Sequence, residues 1–260
     1  MDRFNRFRIS IEEYYSTHKR DLPWRKEAPV PYEVWLSEII LQQTRVAQGT
    51  PYYHKILAAF PTIAALADAE EDKLLALWTG LGYYNRARNL QKGAKQIVAE
   101  YHGQLPEQYN ELLNIKGIGP YTAAAIASIC FQEKIGVVDG NVYRVLSRYF
   151  GIHTATNSSA GQKEFQNLAN ECIKGTKHPD QYNQGIMEFG ALLCTPKKPN
   201  CMYCPLNDTC HAFNTGSVGA LPVKLKKGKR TRETLHFGVV QKAEKMALRK
   251  RGTDGIWAGL

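Results

Sequence analysis

The chain has 260 residues, with 34 Lys and Arg against 24 Asp and Glu, for a formal net charge of +10. That length supports a sizeable core in one large domain or two lobes, and no run approaches the roughly 18 apolar residues of a membrane span. Most of the surplus charge is local: from Lys224 onward there are eleven basic residues against three acidic ones. A polyanionic partner for the main body must therefore be argued from motifs rather than from overall charge.

In chain order, the opening "MDRFNRFRISIEEYYSTHKRDLPW" is charged and amphipathic and lacks the apolar core of a secretory signal. A cytoplasmic protein is expected, in which thiols stay reduced or bind metal. "EVWLSEIILQQTRVAQ" is apolar on most sides and predicts one buried helix closing at Gly49, with Thr50-Pro51 opening the next and Pro at its first position. Ala87, Leu90, Ala94, Ile97 and Val98 recur at helical spacing up to Gly103. In "LLNIKGIGPYTAAAIAS" a helix, a tight Gly-x-Gly turn and a small-residue helix follow one another. Val142, Val145, Leu146 and Tyr149 form a further stripe closed by Gly151. Cys130 and Cys172 fall in apolar helical patterns and read as core. Beyond the four-cysteine segment "CTPKKPNCMYCPLNDTC" comes a basic, Pro-containing linker, and then "TLHFGVVQKAEKMALRK", which reads as two strands around a turn. No internal repeat is visible. The fold class is all-α, with the beginnings of a separate β-containing domain at the end.

Several residues carry chemistry. Gly117 and Gly119 let backbone approach a ligand, and the helix after them points free N–H groups outward, a cradle for a DNA phosphate without base preference. The same residues also suit an ordinary turn between packed helices, although with the small residues that follow they resemble a helix-hairpin-helix motif. Asp139, in "GVVDGNVYRVL", stands where an N-cap belongs, and hydrogen bonds from the helix N-terminus would keep its carboxylate ionised. Glu38 lies within an apolar helix, where burial would raise its pKa and make it a proton donor. Two carboxyl groups whose pKa values are pushed apart suit glycosidic cleavage through an oxocarbenium-like state. Beside a DNA-backbone motif, the bond in question is the one between base and deoxyribose. Reaching it requires extruding the nucleotide, for which Gln42, Gln43, Tyr83 and Tyr84 are candidate wedges and Arg86 and Arg88 candidate phosphate contacts. The four thiols at Cys194, Cys201, Cys204 and Cys210 suit a disulfide pair, zinc or an iron–sulfur cluster, and a reducing compartment disfavours the first.

"LPWR", "PYEVWLSEIILQQTRV", "LWTGLGYYNRARNL", "KGIGPYTAAAIAS", "VVDGNVYRVLSR" and the cysteine segment, in this order, resemble the adenine DNA glycosylases of the MutY type, which share the helix-hairpin-helix superfamily with endonuclease III. The resemblance implies removal of adenine from duplex DNA in which it is mispaired with 8-oxoguanine or guanine. It implies a general acid at Glu38, a cation-stabilising carboxylate at Asp139, and Tyr121 and Asn141 orienting the two. Trp24, Arg25, Leu41 and Glu188 would line the adenine pocket, with Tyr83 inserted beside 8-oxoguanine and Gln43 or Gln42 as wedge. The cysteine spacing of six, two and five then matches a structural [4Fe–4S] cluster, with Lys197 and Lys198 on a basic loop for phosphates. Tyr121 occupies the place where a lyase would carry a Schiff-base lysine, so a monofunctional enzyme is expected rather than an endonuclease III-like lyase or a silent DNA-binding fragment. The expected organisation is a two-lobed helix-hairpin-helix glycosylase: 1–22 with 136–216 as a cluster domain, 23–135 as a six-helix domain, 217–232 as linker. Residues 233–260 are read as the start of a truncated Nudix-like domain, for which "GTDGIWAGL" is the signal. A monomer in a bacterial cytoplasm, associated with the nucleoid, completes the expectation.

Overall fold

Asp2 starts the first helix by accepting hydrogen bonds from the backbone N–H groups of Phe4 (2.7 Å) and Asn5 (3.1 Å), the donors that a helix N-terminus leaves open. The computed structural model of the chain describes residues 2–226, 234 and 239–247. Contacts divide the chain into a unit spanning Met1–Leu225 and a second spanning Lys226–Leu260.

The first unit is helical. Helix α1 (Arg3–His18) buries Phe7, Ile11, Tyr14 and Tyr15 and packs on α10 (Ser159–Ile173) and α11 (Pro179–Leu192). Helix α2 (Pro31–Leu41) is buried almost all round and packs on α3 (Val46–Ala59), α6 (Asn85–Glu100) and α8 (Pro120–Phe131). Between them lie the short helices α4 (Ile63–Ala67), α5 (Glu71–Trp78) and α7 (Tyr109–Leu112). Helix α9 (Gly140–Phe150) and the single-turn α12 (His211–Asn214) complete the set, with α11 touching both α8 and α9. Trp35, Trp78, Tyr53, Tyr149 and Phe165 are wholly buried. Truncating Trp35 to Ala would cost roughly 3–5 kcal/mol in lost burial and residual cavity.

Three expectations need correction. The helix expected to run to Gly49 ends at Leu41, and α3 starts at Val46, so that Pro51 lies inside α3 rather than at its first position. The break is stabilised from outside: Arg86 Nη1 donates to the carbonyls of Ile39 (3.1 Å), Ile40 (2.8 Å) and Gln42 (2.6 Å), which the end of α2 leaves without helical partners. In α6, Ala87, Leu90, Ala94 and Ile97 are buried as expected, but Val98 is exposed. The expected linker begins later than residue 217. Thr156 N–H donates to Val223 O (3.0 Å) and Leu225 N–H to Asn157 Oδ1 (2.8 Å), which ties residues 221–225 to the helical unit.

The end of α9 falls where the sequence placed it. Gly151, with φ +76°, closes α9, whose Val142, Val145, Leu146 and Tyr149 are all buried. A side chain there would also strike the His211 ring. In the second unit, Gln241–Lys242 (β1) pairs antiparallel with Lys245–Met246 (β2), Gln241 opposite Met246. These strands fall where two strands around a turn were expected. The "GTDGIWAGL" segment lies outside the described residues.

Candidate active site

The C-terminal end of α2, the start of α8, the start of α9 and the last turns of α11 surround an open cleft of about 1010 Å³. Glu38, Tyr121, Asp139 and Asn141 all line it, as do Trp24, Arg25, Leu41, Gln42, Gln43 and Glu188. Residues far apart in the chain thus meet in one place.

Glu38 projects from the penultimate turn of α2 and is 8% exposed. Its pKa is raised to about 7: burial is the main cause, Tyr121 offsets part of the rise, Asp139 adds to it and Arg25 opposes it. The Tyr121 hydroxyl, whose close partner is Met187 Sδ at 3.2 Å, is itself pushed well above its ordinary value by burial and by Glu38 and Asp139. It is a neutral phenol at any ordinary pH.

Asp139 caps α9. Its Oδ1 accepts from the N–H groups of Asn141 (2.9 Å) and Val142 (2.7 Å), and its Oδ2 accepts from Asn141 Nδ2 (2.8 Å). Those bonds and Arg144 pull its pKa down, but burial outweighs them and the net direction is upward. The two carboxyls are therefore not driven in opposite directions, as the sequence suggested. Burial raises both, and they differ in how far hydrogen bonds compensate: three reach Asp139, whereas Glu38 has Tyr121 alone.

Glu188 differs from the other pocket candidates because its charge is already occupied. It is 1% exposed and accepts from Arg20 and Arg25. Burial would raise its carboxyl, but these two arginines outweigh that and hold it down to about 2. Trp24 is buried and meets Tyr53 edge-on, ring centroids 5.2 Å apart.

Arg86 and Arg88 are not free phosphate contacts. The Arg86 guanidinium turns inward onto backbone carbonyls, and Arg88 Nε is 3.0 Å from Glu71 Oε1. Lys197 and Lys198 are exposed, and so are Gly117 and Gly119 at the start of α8. Gly117 has φ +86°, and a Cβ on Gly119 would meet open space, leaving room for a ligand to approach the N–H groups of the turn. Gln43 (φ +58°) and Tyr83 (φ +49°) are exposed residues in left-handed backbone, a conformation that costs a non-glycine residue about 1 kcal/mol or more.

Cys194, Cys201, Cys204 and Cys210 line a single cavity whose other walls include Val145, Phe189, Leu206 and Phe213. No three His, Cys, Asp or Glu side chains among the described residues lie close enough to hold a single ion. An all-thiol donor set spread around one apolar cavity nonetheless fits a multi-iron group. Arg148, 3% exposed, faces it with Nη1 3.4 Å from Cys194 Sγ and 2.7 Å from Thr195 O. Arg144 joins this segment to the cleft: Nε donates to Cys194 O (2.7 Å) and Nη2 to Asn141 Oδ1 (2.8 Å). Sequence reasoning missed Arg20, Arg144 and Arg148. The last two had a signal, being four apart on the apolar face of α9.

Residues 36–171 match the HhH-GPD superfamily base excision DNA repair proteins. Adenine DNA glycosylase of Buchnera aphidicola (subsp. Schizaphis graminum) is 36% identical over 252 residues, 97% of this chain and 72% of that protein. The Arabidopsis thaliana and Homo sapiens proteins of the same name are 38% and 42% identical over 98% and 79% of this chain, covering 46% and 39% of their own lengths. The chain thus spans about half the length of several of its curated relatives. A thermostable thymine-DNA glycosylase superposes with a TM-score of 0.74 at 29% identity, covering 82% of this chain and 97% of that one. Endonuclease III in a non-covalent DNA complex gives 0.68 at 20% identity over 83% and 99%, a likeness of fold alone. The chain belongs to the HhH-GPD superfamily of base excision DNA repair proteins and, within it, to the adenine DNA glycosylases.

Proposed function

We propose that this chain hydrolyses the N-glycosidic bond of adenine mispaired with 8-oxoguanine or guanine in duplex DNA, without cutting the strand. The observation that carries the proposal is the Glu38 carboxyl, buried in the cleft with its pKa raised to about 7 and Asp139 across from it. A carboxylic acid of that pKa is protonated in a useful fraction near neutrality and can donate to the departing base. Asp139, held by Asn141 and the first turn of α9, stabilises the sugar cation that forms. Tyr121 fills the gap beside Glu38 as a neutral phenol. Trp24, Arg25 and Leu41 receive the base, with Glu188 orienting Arg25.

Phosphate contacts at Gly117, Gly119, Lys197 and Lys198 position the duplex without reading it. Gln43 and Tyr83 probe the stack around the mispair, a role supported by the exposure and strained backbone of both and by the place of Gln43 in the cleft wall. Cys194, Cys201, Cys204 and Cys210 hold a [4Fe–4S] cluster, which when bound shapes the basic loop and takes no part in the chemistry. The lobes are read as 1–22 with 136–216 and as 23–135, supported by the packing of α1 on α10 and α11.

A single-turnover assay on an 8-oxoguanine:adenine duplex, developed with and without alkali, tests the proposal. Strand breaks only after alkali are expected. Breaks without alkali, or no adenine release at all, overturn it.

A further inference from the structure

Two exposed residues, Gln43 in the wall of the cleft and Tyr83, have left-handed backbone. They belong to different loops, one following α2 and the other preceding α6. A single guanidinium joins those loops. Arg86 Nη1 donates to Gln42 O at 2.6 Å, and Nη2 to Gly82 O at 3.3 Å. These are the carbonyls immediately before each left-handed residue. Trp78 Nε1 adds a second donor to Gly82 O at 3.1 Å. The Arg86 guanidinium also stacks over the Trp78 and Tyr83 rings, 5.3 and 5.7 Å from their centroids.

We propose that Arg86 is a positioning residue that couples the two stack-probing side chains, so that Gln43 and Tyr83 enter DNA as one rigid unit. This rests on the adenine-excision reading above and extends it to a residue that meets neither DNA nor the reacting atoms. The physical case is geometric. A left-handed peptide in a non-glycine residue persists only where its surroundings over-determine it. Here both strained peptides take their restraint from the two ends of one planar fork. Lysine cannot replace it, because one ammonium on a flexible stem lacks the fork that spans both carbonyls. If either loop relaxes, its probe withdraws, and the cost falls on opening the duplex rather than on breaking the glycosidic bond.

The test compares wild type with Arg86→Lys, as the full chain, on two substrates: an 8-oxoguanine:adenine duplex, and a single strand in which adenine is already unpaired. On the duplex, single-turnover excision at saturating enzyme is expected to fall by about 10- to 100-fold, as for comparable misplacements near a reacting centre. On the single strand the variant should match wild type. A 2-aminopurine beside the mispair should brighten when wild type binds and stay quenched with the variant, a readout that does not depend on excision. Equal losses on both substrates, no loss on either, or equal brightening all overturn the proposal. Should wild type release no adenine from any substrate, the excision reading fails, and the fluorescence comparison still decides the coupling. Should Arg86→Lys not fold, the exposed positions decide. Gln43→Ala, Tyr83→Ala and the double variant are expected to be non-additive, the double no worse than the poorer single. Additive losses overturn the coupling.

Discussion

Arg20 grips Glu188 with one edge of its guanidinium: Nε and Nη2 each lie 2.7 Å from a different carboxylate oxygen, and the Arg20 backbone N–H adds a third bond at 3.0 Å. The pair joins the segment after α1 to the wall of the cleft, and Arg25 completes it at 3.0 Å. Glu188 is buried, so its loss leaves the largely buried Arg25 and the partly exposed Arg20 without their carboxylate. Glu188→Gln should destabilise the protein by about 2 kcal/mol at pH 7, less than the roughly 3–5 of a wholly buried pair because Arg20 is partly exposed. The carboxyl's folded pKa of about 2 lies below its ordinary 4.5, so its contribution is present above pH 4.5 and disappears as pH falls toward 2. Urea midpoints of wild type and variant should converge over that interval. A gap that stays constant from pH 7 to pH 3 rules out the ionised pair as its source.

Glu38 has the opposite sign. Its folded pKa of about 7 exceeds the ordinary 4.5, so the folded state binds the extra proton and stability declines as pH rises from 4.5 to 7. Glu38→Gln should remove that slope and leave the variant more stable at pH 8, by up to about 3 kcal/mol. Excision should instead fall by at least about 10²-fold, while duplex affinity, which rests on phosphates, survives. In wild type, single-turnover excision should decrease as pH passes about 7. Near-normal excision by the Gln variant removes Glu38 from the mechanism.

What the sequence revealed, and what it hid, follows from the range of the interactions. Glu38 and Asp139 were legible because each stands in a local pattern, an acid inside an apolar helix and an acid before a helical stripe. Gly151 and Pro120 punctuated helices where glycine and proline do. Arg86 was misread as a phosphate ligand because nothing near it in the chain reveals that its partners lie 44 to 47 residues earlier. The end of α2 was missed for the same reason: no glycine or proline marks it before Gly49, and the guanidinium that stabilises the break comes from α6. Glu188 was visible as a candidate, but not the two arginines that fix its charge.

The cysteine cavity makes a direct prediction. Protein purified anaerobically should be brown and contain about four irons per chain, given four thiolate ligands. Cys201→Ser should lower thermal stability and weaken duplex binding more than it slows excision on DNA already bound. Stoichiometric zinc without iron would show that the thiols hold a different metal.

Tyr121 cannot form an imine, so borohydride added during turnover should trap no covalent complex with DNA. The chain should leave an intact strand bearing an abasic site, cleaved only by alkali. Efficient trapping of the wild-type protein would instead point to a nucleophilic lysine, with Lys116 in the hairpin turn the first to replace.

The turn proposed to bind phosphate is held from behind, and that support can be removed without touching the turn. Gln96 on α6 donates from Nε2 to Asn114 O (3.1 Å) and accepts at Oε1 from Lys116 N–H (3.0 Å), so one amide fixes both polarities of the turn's backbone. Two turns closer to the helix start, Asn89 packs against Gly117, and a Cβ added at Gly93 would lie 2.6 Å from Lys116 O. No rotamer relieves that contact, because the obstacle is backbone, so Gly93→Ala must push the turn away from α6. Both Gly93→Ala and Gln96→Ala should therefore misalign the N–H groups that face a phosphate. Duplex affinity should drop by a similar factor for mispaired and fully paired DNA, since phosphate contacts carry no sequence information. The slope of log affinity against log salt should stay near its wild-type value, because neutral N–H groups are lost and no counterion-releasing cation is. Lys197→Ala should instead reduce that slope by about 1. Excision of adenine on saturated complexes should be little changed in all three variants, because Glu38 and Asp139 lie on α2 and at the start of α9. Titrations of each variant on paired and mispaired duplexes between 50 and 200 mM salt, about the range over which such contacts are read, separate these outcomes. A loss confined to mispaired DNA would mean that the turn reads the lesion rather than the backbone.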